Sequence, residues 1–164
     1  MRSPIYWIDA PAPGRLATMA RPRAGDWLAG EIAGWKEAGV DAVVSLLERE
    51  EEGELGLHEE AELCRDAHMS FISFPIRDYD VPASARETGD LAQDVVAKLA
   101  AAQRVAIHCR AGIGRSSVIA ACALICLGVG WEEAVARIAA ARGMKVPDTE
   151  AQRDWISRFR APSA

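Results

Sequence analysis

Between His108 and Ser117 the chain reads HCRAGIGRSS, a cysteine and an arginine separated by five residues, two of them glycine. The apolar run RVAIHC (104–109) before it has the length of a buried strand. The stretch from about Gly114 to Leu127 after it reads as a helix that is apolar nearly all round, and so central. A helix starting there leaves its first N–H groups without intrahelical partners, and its dipole adds positive potential. Gly112 and Gly114 let the connecting backbone curl with its N–H groups inward. Arg110, Ala111, Gly112, Ile113, Gly114 and Arg115 would then cradle a tetrahedral oxyanion, with Arg115 as a planar fork that grips two oxygens. The same field favours thiolate over thiol at Cys109, which would arm it to attack a bound phosphorus.

The string His108-Cys109-Arg110-Ala111-Gly112-Ile113-Gly114-Arg115-Ser116 resembles the HCx5R(S/T) signature of the cysteine-dependent protein tyrosine phosphatase superfamily. It is similar to the small dual-specificity branch of the kinase-associated phosphatase type. The resemblance is strong over 70–157 and weaker before. It implies a phosphomonoesterase that works through a cysteinyl-phosphate, without metal or other cofactor. By the resemblance, Ser116 hydrogen-bonds the sulfur and eases its departure, and His108 shapes the loop and tunes the thiolate.

Ester cleavage also needs a proton for the departing oxygen. FPIRDYDVP (74–82) offers Asp78 and Asp80 in a loop after a strand, about thirty residues before the cysteine. The PIxD…P pattern of the resembled branch selects Asp78 as the general acid, and Asp80 reads as a turn former. Gln152, in VPDTEAQ, has two readings left open. It falls where related enzymes position the hydrolytic water, and Thr149-x-x-Gln152 is also a capping box. Arg77 and Arg110 could meet a phosphosubstrate at the rim, although exposed loop arginines usually do nothing specific, and His58 and His68 read as surface residues.

The elements that must position these groups follow from periodicity. Tyr6–Ile8 and Leu16–Met19 are short extended pieces around the loop APAPGR. DWLAGEIAGWKEAG (26–39) has Leu28, Ile32 and Trp35 at helical spacing. DAVVSLL (41–47) reads as a buried strand, EREEEGEL (48–55) as a solvated acidic loop, and 58–69 as a helix. SFISFPI (70–76) is strand-like and ends at Pro75. Residues 78–90 form a loop, followed by helices over 90–103, 131–143 and 147–160, the last burying Trp155, Ile156 and Phe159. Strands alternating with helices predict an α/β fold: one domain over 1–164, with a mostly parallel sheet of about four to five strands. Ligands in such sheets sit beyond the strands' carboxyl ends, where Cys109 and Asp78 both fall.

Composition narrows the partners. The 164-residue chain is half hydrophobic and carries a formal net charge of −5, so it has no overall basic footprint for nucleic acid. The apolar run 118–129 is short for a bilayer, and the N-terminus lacks a signal-peptide core, so a cytoplasmic monomer is expected. Cys64, Cys109, Cys122 and Cys126 form no CxxC pair. Cys122 and Cys126 read as packing. Cys64 reads as packing too, with a reversible disulfide to Cys109 as the alternative. The expected partner is a phosphorylated protein, or failing that a small phosphorylated molecule such as a phosphoinositide, inositol phosphate or nucleotide. A non-catalytic phosphoprotein-binding module would be expected to lose Cys, Arg or Asp, and all three are present. Sulfurtransferase and arsenate-reductase chemistry also use cysteine loops, but arsenate reductases of this type place theirs near the N-terminus with partner cysteines.

Overall fold

The structure, a computed structural model, describes residues 2–163. Among them, β1 (Tyr6–Ile8), β2 (Arg15–Met19), β3 (Ala42–Ser45), β4 (Ser70–Ser73) and β5 (Arg104–His108) form one sheet in the order β1-β2-β5-β3-β4. β1 runs antiparallel to β2, and the remaining pairs are parallel. The helices are α1 (Leu28–Glu37), α2 (Arg49–Glu54), α3 (Glu60–Asp66), α4 (Ala85–Ala100), α5 (Arg115–Cys126), α6 (Trp131–Arg142) and α7 (Glu150–Arg158). A 3-10 turn, Gly25–Trp27, leads into α1. No described helix is long and apolar enough to cross a membrane.

The central strands are buried on both faces, as parallel strands covered by helices must be. Alternate residues therefore feed two cores. Leu16, Ala42, Val44, Val105 and Ile107 pack with α4, α5, α6 and α7 on one face. Ala17, Met19, Val43 and Ala106 pack with Leu28, Ile32, Trp35 and Cys64 from α1 and α3 on the other. Helix α5 is buried along most of its length, which explains why its sequence carries no polar stripe. Trp155 is half-buried, while Ile156 and Phe159 are buried as expected.

Two boundaries differ from the sequence reading. Residues 48–55 are not a loop: α2 forms there, with Glu51 Oε1 accepting from Glu48 N at 3.0 Å. The segment has no apolar stripe, so periodicity gave no sign of a helix whose anchor is a buried charge pair. Helix α4 starts at Ala85 rather than near Asp90, because Ser84 Oγ accepts from Glu87 N at 3.1 Å and caps it.

The register aligns the carboxyl ends of the parallel strands. Met19 and Ser45 flank His108, and Ser73 lies beside Ser45. The segments leaving these ends, 20–24, 46–48, 74–84 and 109–114, therefore converge at one edge.

Candidate active site

The loop from Cys109 to Gly114 is fixed by its neighbours more than by its own side chains. Gly112 has φ +73, and a Cβ there would lie 2.6 Å from the Met19 carbonyl carbon. Only glycine satisfies both the conformation and the close approach to β2. Arg21 N donates to Arg110 O at 3.2 Å, and Arg142 Nε donates to Gly112 O at 3.2 Å. The Arg142 guanidinium also lies over the Tyr6 ring, 4.4 Å from its centroid, so α6 and β1 brace the loop together. A Cβ on Gly114 would stand 2.7 Å from Asp148 Oδ2 and 3.0 Å from the Gln152 amide, so the start of α7 closes over the start of α5.

Arg115 is 2% exposed, yet it is a full charge. Its cost of burial is met by a dense partner set. Nη1 donates to Glu51 Oε1 at 2.6 Å and Nη2 to Glu51 Oε2 at 3.0 Å, a bidentate pair. Nη1 also donates to Ile76 O at 2.8 Å, and Nη2 reaches Asp78 Oδ1 at 2.9 Å. Burial works against the Arg115 charge, but the Glu51 hydrogen bonds, then Cys109, Glu51 and Asp78, hold it more firmly protonated than a free arginine. Burial alone would raise the Glu51 carboxyl. The Arg115 hydrogen bonds, the Glu48 N–H and the charges of Arg115 and Arg110 pull it below the ordinary value instead. Arg110 is itself paired at the rim, 3.7 Å from Glu51 and 3.8 Å from Glu54.

Cys109 is 3% exposed, with Sγ 3.4 Å from Ser116 Oγ. Behind it His108 is fully buried. Its Nδ1 lies 3.2 Å from Cys109 O and its Nε2 2.6 Å from Glu60 Oε2, with the Trp35 ring 6.1 Å away. Cys64 packs against the opposite face of the sheet from the core that includes Cys109. Burial, then the Glu60 charge, push its thiol up to about 12. A thiol so protonated and enclosed gives the disulfide to Cys109 no support.

Asp78 is half-buried in a tight turn: Asp80 N donates to Arg77 O at 3.0 Å, and Tyr79 between them adopts φ 61. Asp78 Oδ1 accepts from Tyr79 N at 3.1 Å as well as from Arg115. Asp80 Oδ1 accepts from Val81 N at 2.7 Å, a turn-forming contact as expected, and the side chain is exposed. Gln152 has the capping-box geometry of one of its two readings. It forms the capping box with Thr149, and its Nε2 donates to Asp80 O at 3.1 Å, which ties α7 to the acid-bearing turn.

The geometry thus brings Cys109, Arg115, Ser116, His108, Asp78 and Gln152 to one strand edge. Sequence reasoning missed four residues there. Glu51 had a signal, since Glu48-x-x-Glu51 has capping-box spacing. Glu60 and Arg142 had none, because each meets its partner only through tertiary packing. Asp148, inside the helix read over 147–160, carried no site signal either; burial and the nearby Asp78 charge raise its carboxyl above the usual range, against the pull of Arg115.

Residues 17–129 match the family model described as Tc-R-P, polymorphic toxin system, DSP-PTPase phosphatase. The chain belongs to that family. This DSP-PTPase phosphatase matches no curated protein sequence. Among solved structures it is similar to kinase associated phosphatase (KAP) with a serine at the catalytic-site cysteine. That match has a TM-score of 0.86 and 19% identity, covering 97% of this chain and 94% of that one. It is also similar to Tk-PTP in the active form, at TM-score 0.77 and 23% identity over 94% and 95% of the two chains. A further likeness is PTPMT1 in complex with PI(5)P, at TM-score 0.74 and 21% identity over 93% and 94%. The α/β architecture with a mostly parallel five-stranded sheet is the fold of these cysteine-dependent phosphatases.

Proposed function

We propose that this phosphatase removes phosphate from proteins, from phosphotyrosine and also from phosphoserine or phosphothreonine, through a cysteinyl-phosphate. The observation that carries the reading is Arg115. It stands at one end of the loop that begins with Cys109, is gripped on one side by Glu51, and reaches Asp78 at 2.9 Å on the other. Oxyanion grip and proton carrier therefore meet at the nucleophile's own loop.

In the first step the Cys109 thiolate attacks phosphorus, a P–S bond forms, and the P–O bond to the leaving group breaks. Asp78 in its acid form gives its proton to the departing oxygen. The loop N–H groups and Arg115 hold the other phosphoryl oxygens as charge builds on them. In the second step a water oxygen attacks phosphorus, Asp78 takes the water proton, and the thiolate leaves with Ser116 Oγ beside it. Gln152, whose amide is held by Thr149 N and the Asp80 carbonyl, is the residue assigned to orient that water.

The rim supports a protein substrate. Tyr79 and Met144 are 67% and 43% exposed, and Ile113 within the loop is half-buried. These apolar groups suit an aryl ring, and the cleft beside Ile113 and Met144 is also lined by Lys145 and Arg153. Arg110, the one cation inside the loop before Arg115, is already engaged by Glu51 and Glu54.

The test is phosphate release, without added metal, from p-nitrophenyl phosphate, phosphotyrosyl and phosphoseryl peptides, and phosphoinositides. Wild type should act on the aryl ester and the peptides, and mass spectrometry should find a phosphoryl adduct on Cys109. Turnover confined to phosphoinositides would remove the protein reading. Activity that survives in Cys109→Ser would remove the mechanism.

A further inference from the structure

The two contacts of His108 fix a proton count. A carbonyl oxygen only accepts, so the 3.2 Å approach of Nδ1 to Cys109 O places a hydrogen on Nδ1. At 2.6 Å, Nε2 and Glu60 Oε2 cannot face each other with two lone pairs, so that gap holds a proton as well. A neutral imidazole beside an ionised carboxylate has one proton too few for this arrangement. The pair is therefore either imidazolium with carboxylate, or neutral imidazole with carboxylic acid.

Several facts favour the first. An ordinary imidazole binds a proton more tightly than a glutamate by about two pH units. The charge-separated form also strengthens both hydrogen bonds at once, since each becomes charge-assisted. The two groups are 0% and 2% exposed, so water does not screen either charge. Glu52 from α2, Cys64 from α3 and Cys109 stand near the pair, with the Trp35 ring of α1 beside the imidazole. Burial and then the Glu60 charge push both Glu52 and Cys64 toward their protonated forms, and His108 opposes that shift at Glu52. On this side the pair is thus its own counter-charge.

We propose that Glu60 is a positioning residue for the phosphatase chemistry, holding His108 as an imidazolium whose positive end lies against Cys109. The carboxylate lies on the far side of the ring from the cysteine, so the net-neutral pair presents an oriented dipole. That dipole favours the Cys109 thiolate, while the Nδ1–H bond fixes the Cys109 carbonyl. The link to turnover rests on Cys109 being the nucleophile; the proton count does not.

Two measurements test it. Nitrogen-15 spectra of the histidine rings are recorded at about pH 8.5, some two units above an ordinary histidine. Both ring nitrogens of His108 should remain protonated at that pH. A single unprotonated nitrogen on His108 would put the proton on Glu60 and overturn the proposal. In Glu60→Gln the amide can donate to Nε2 of a neutral ring, so the dipole is lost with little change of shape. The pH midpoint for alkylation of Cys109 by iodoacetamide should then move up by about half a pH unit or more. An unmoved midpoint in a folded variant would overturn the coupling. If Glu60→Gln does not fold, the wild-type spectrum decides alone. Absence of phosphatase turnover, with both signals as expected, would count against the functional reading and leave the pair intact.

Discussion

Two acidic segments meet the same guanidinium and are built in opposite ways. Glu51 comes from α2, a capped helix, and takes both amino groups of Arg115 with a side chain only 11% exposed. Asp78 comes from a turn between β4 and α4, takes one amino group, and keeps a side chain 35% exposed. The first carboxylate is enclosed and bidentate, which suits a group that must keep a buried cation in one orientation. The second is half open and held by few contacts, which suits a group that must gain and lose a proton beside a substrate. Charge attraction is common to both carboxylates; accessibility separates them.

The comparison can be broken most sharply by removing each partner in turn. Glu51→Ala leaves Arg115 buried with half its partners and should cost about 3 kcal/mol of stability in urea unfolding. Asp78→Ala should change stability by no more than about 0.5 kcal/mol, because that pair is partly solvated. Equal losses would erase the distinction drawn between the segments.

Activity should respond the other way. Asp78→Ala should lower kcat on alkyl phosphates about 100-fold, with a smaller loss on p-nitrophenyl phosphate, whose leaving group scarcely needs a proton. An equal loss on both substrates would argue that Asp78 orients Arg115 and carries no proton.

Acid should sharpen the contrast further. Glu51 and Glu31 are held below the ordinary carboxyl value of 4.5, Glu31 by hydrogen bonds from Arg23 and Ser3 that outweigh its burial. Their stabilisation is fully present above that value and is lost as pH falls through their lower folded-state values. Asp148 runs in the opposite sense, since its raised carboxyl opposes folding until it is protonated. Stability should therefore fall on acidification below 4.5, and Glu51→Gln should flatten that limb. For Gln152→Ala a stability loss of about 1 kcal/mol is expected from the lost cap. If Gln152 also orients water, the variant should accumulate cysteinyl-phosphate, visible as a burst of product before a slow steady state.

Much of this was legible along the chain. The strands over Tyr6–Ile8, Leu16–Met19, 41–47 and 104–109 follow from short β-branched or apolar runs, and the Cys109–Arg115 loop from residue types that few other chemistries require together. The start of α4 was misplaced because a single serine cap outweighed a polar first turn. Segment 48–55 was misread because its helix is stabilised by an arginine more than sixty positions away, and no local pattern records such a partner.

The sequence by itself determined the alternation of strands and helices, the strand–loop–helix around Cys109, and the residues proposed as nucleophile, anion grip and acid. These are local properties, set by periodicity, glycine conformation and the exposed N–H groups of a helix start. Only the tertiary structure decided that Glu51 clamps Arg115, that Glu60 backs His108, that Arg142 and Met19 brace the loop, and that Gln152 holds the acid-bearing turn. Each of those contacts depends on the sheet order, which brings separate strand ends to one edge and so makes distant residues neighbours.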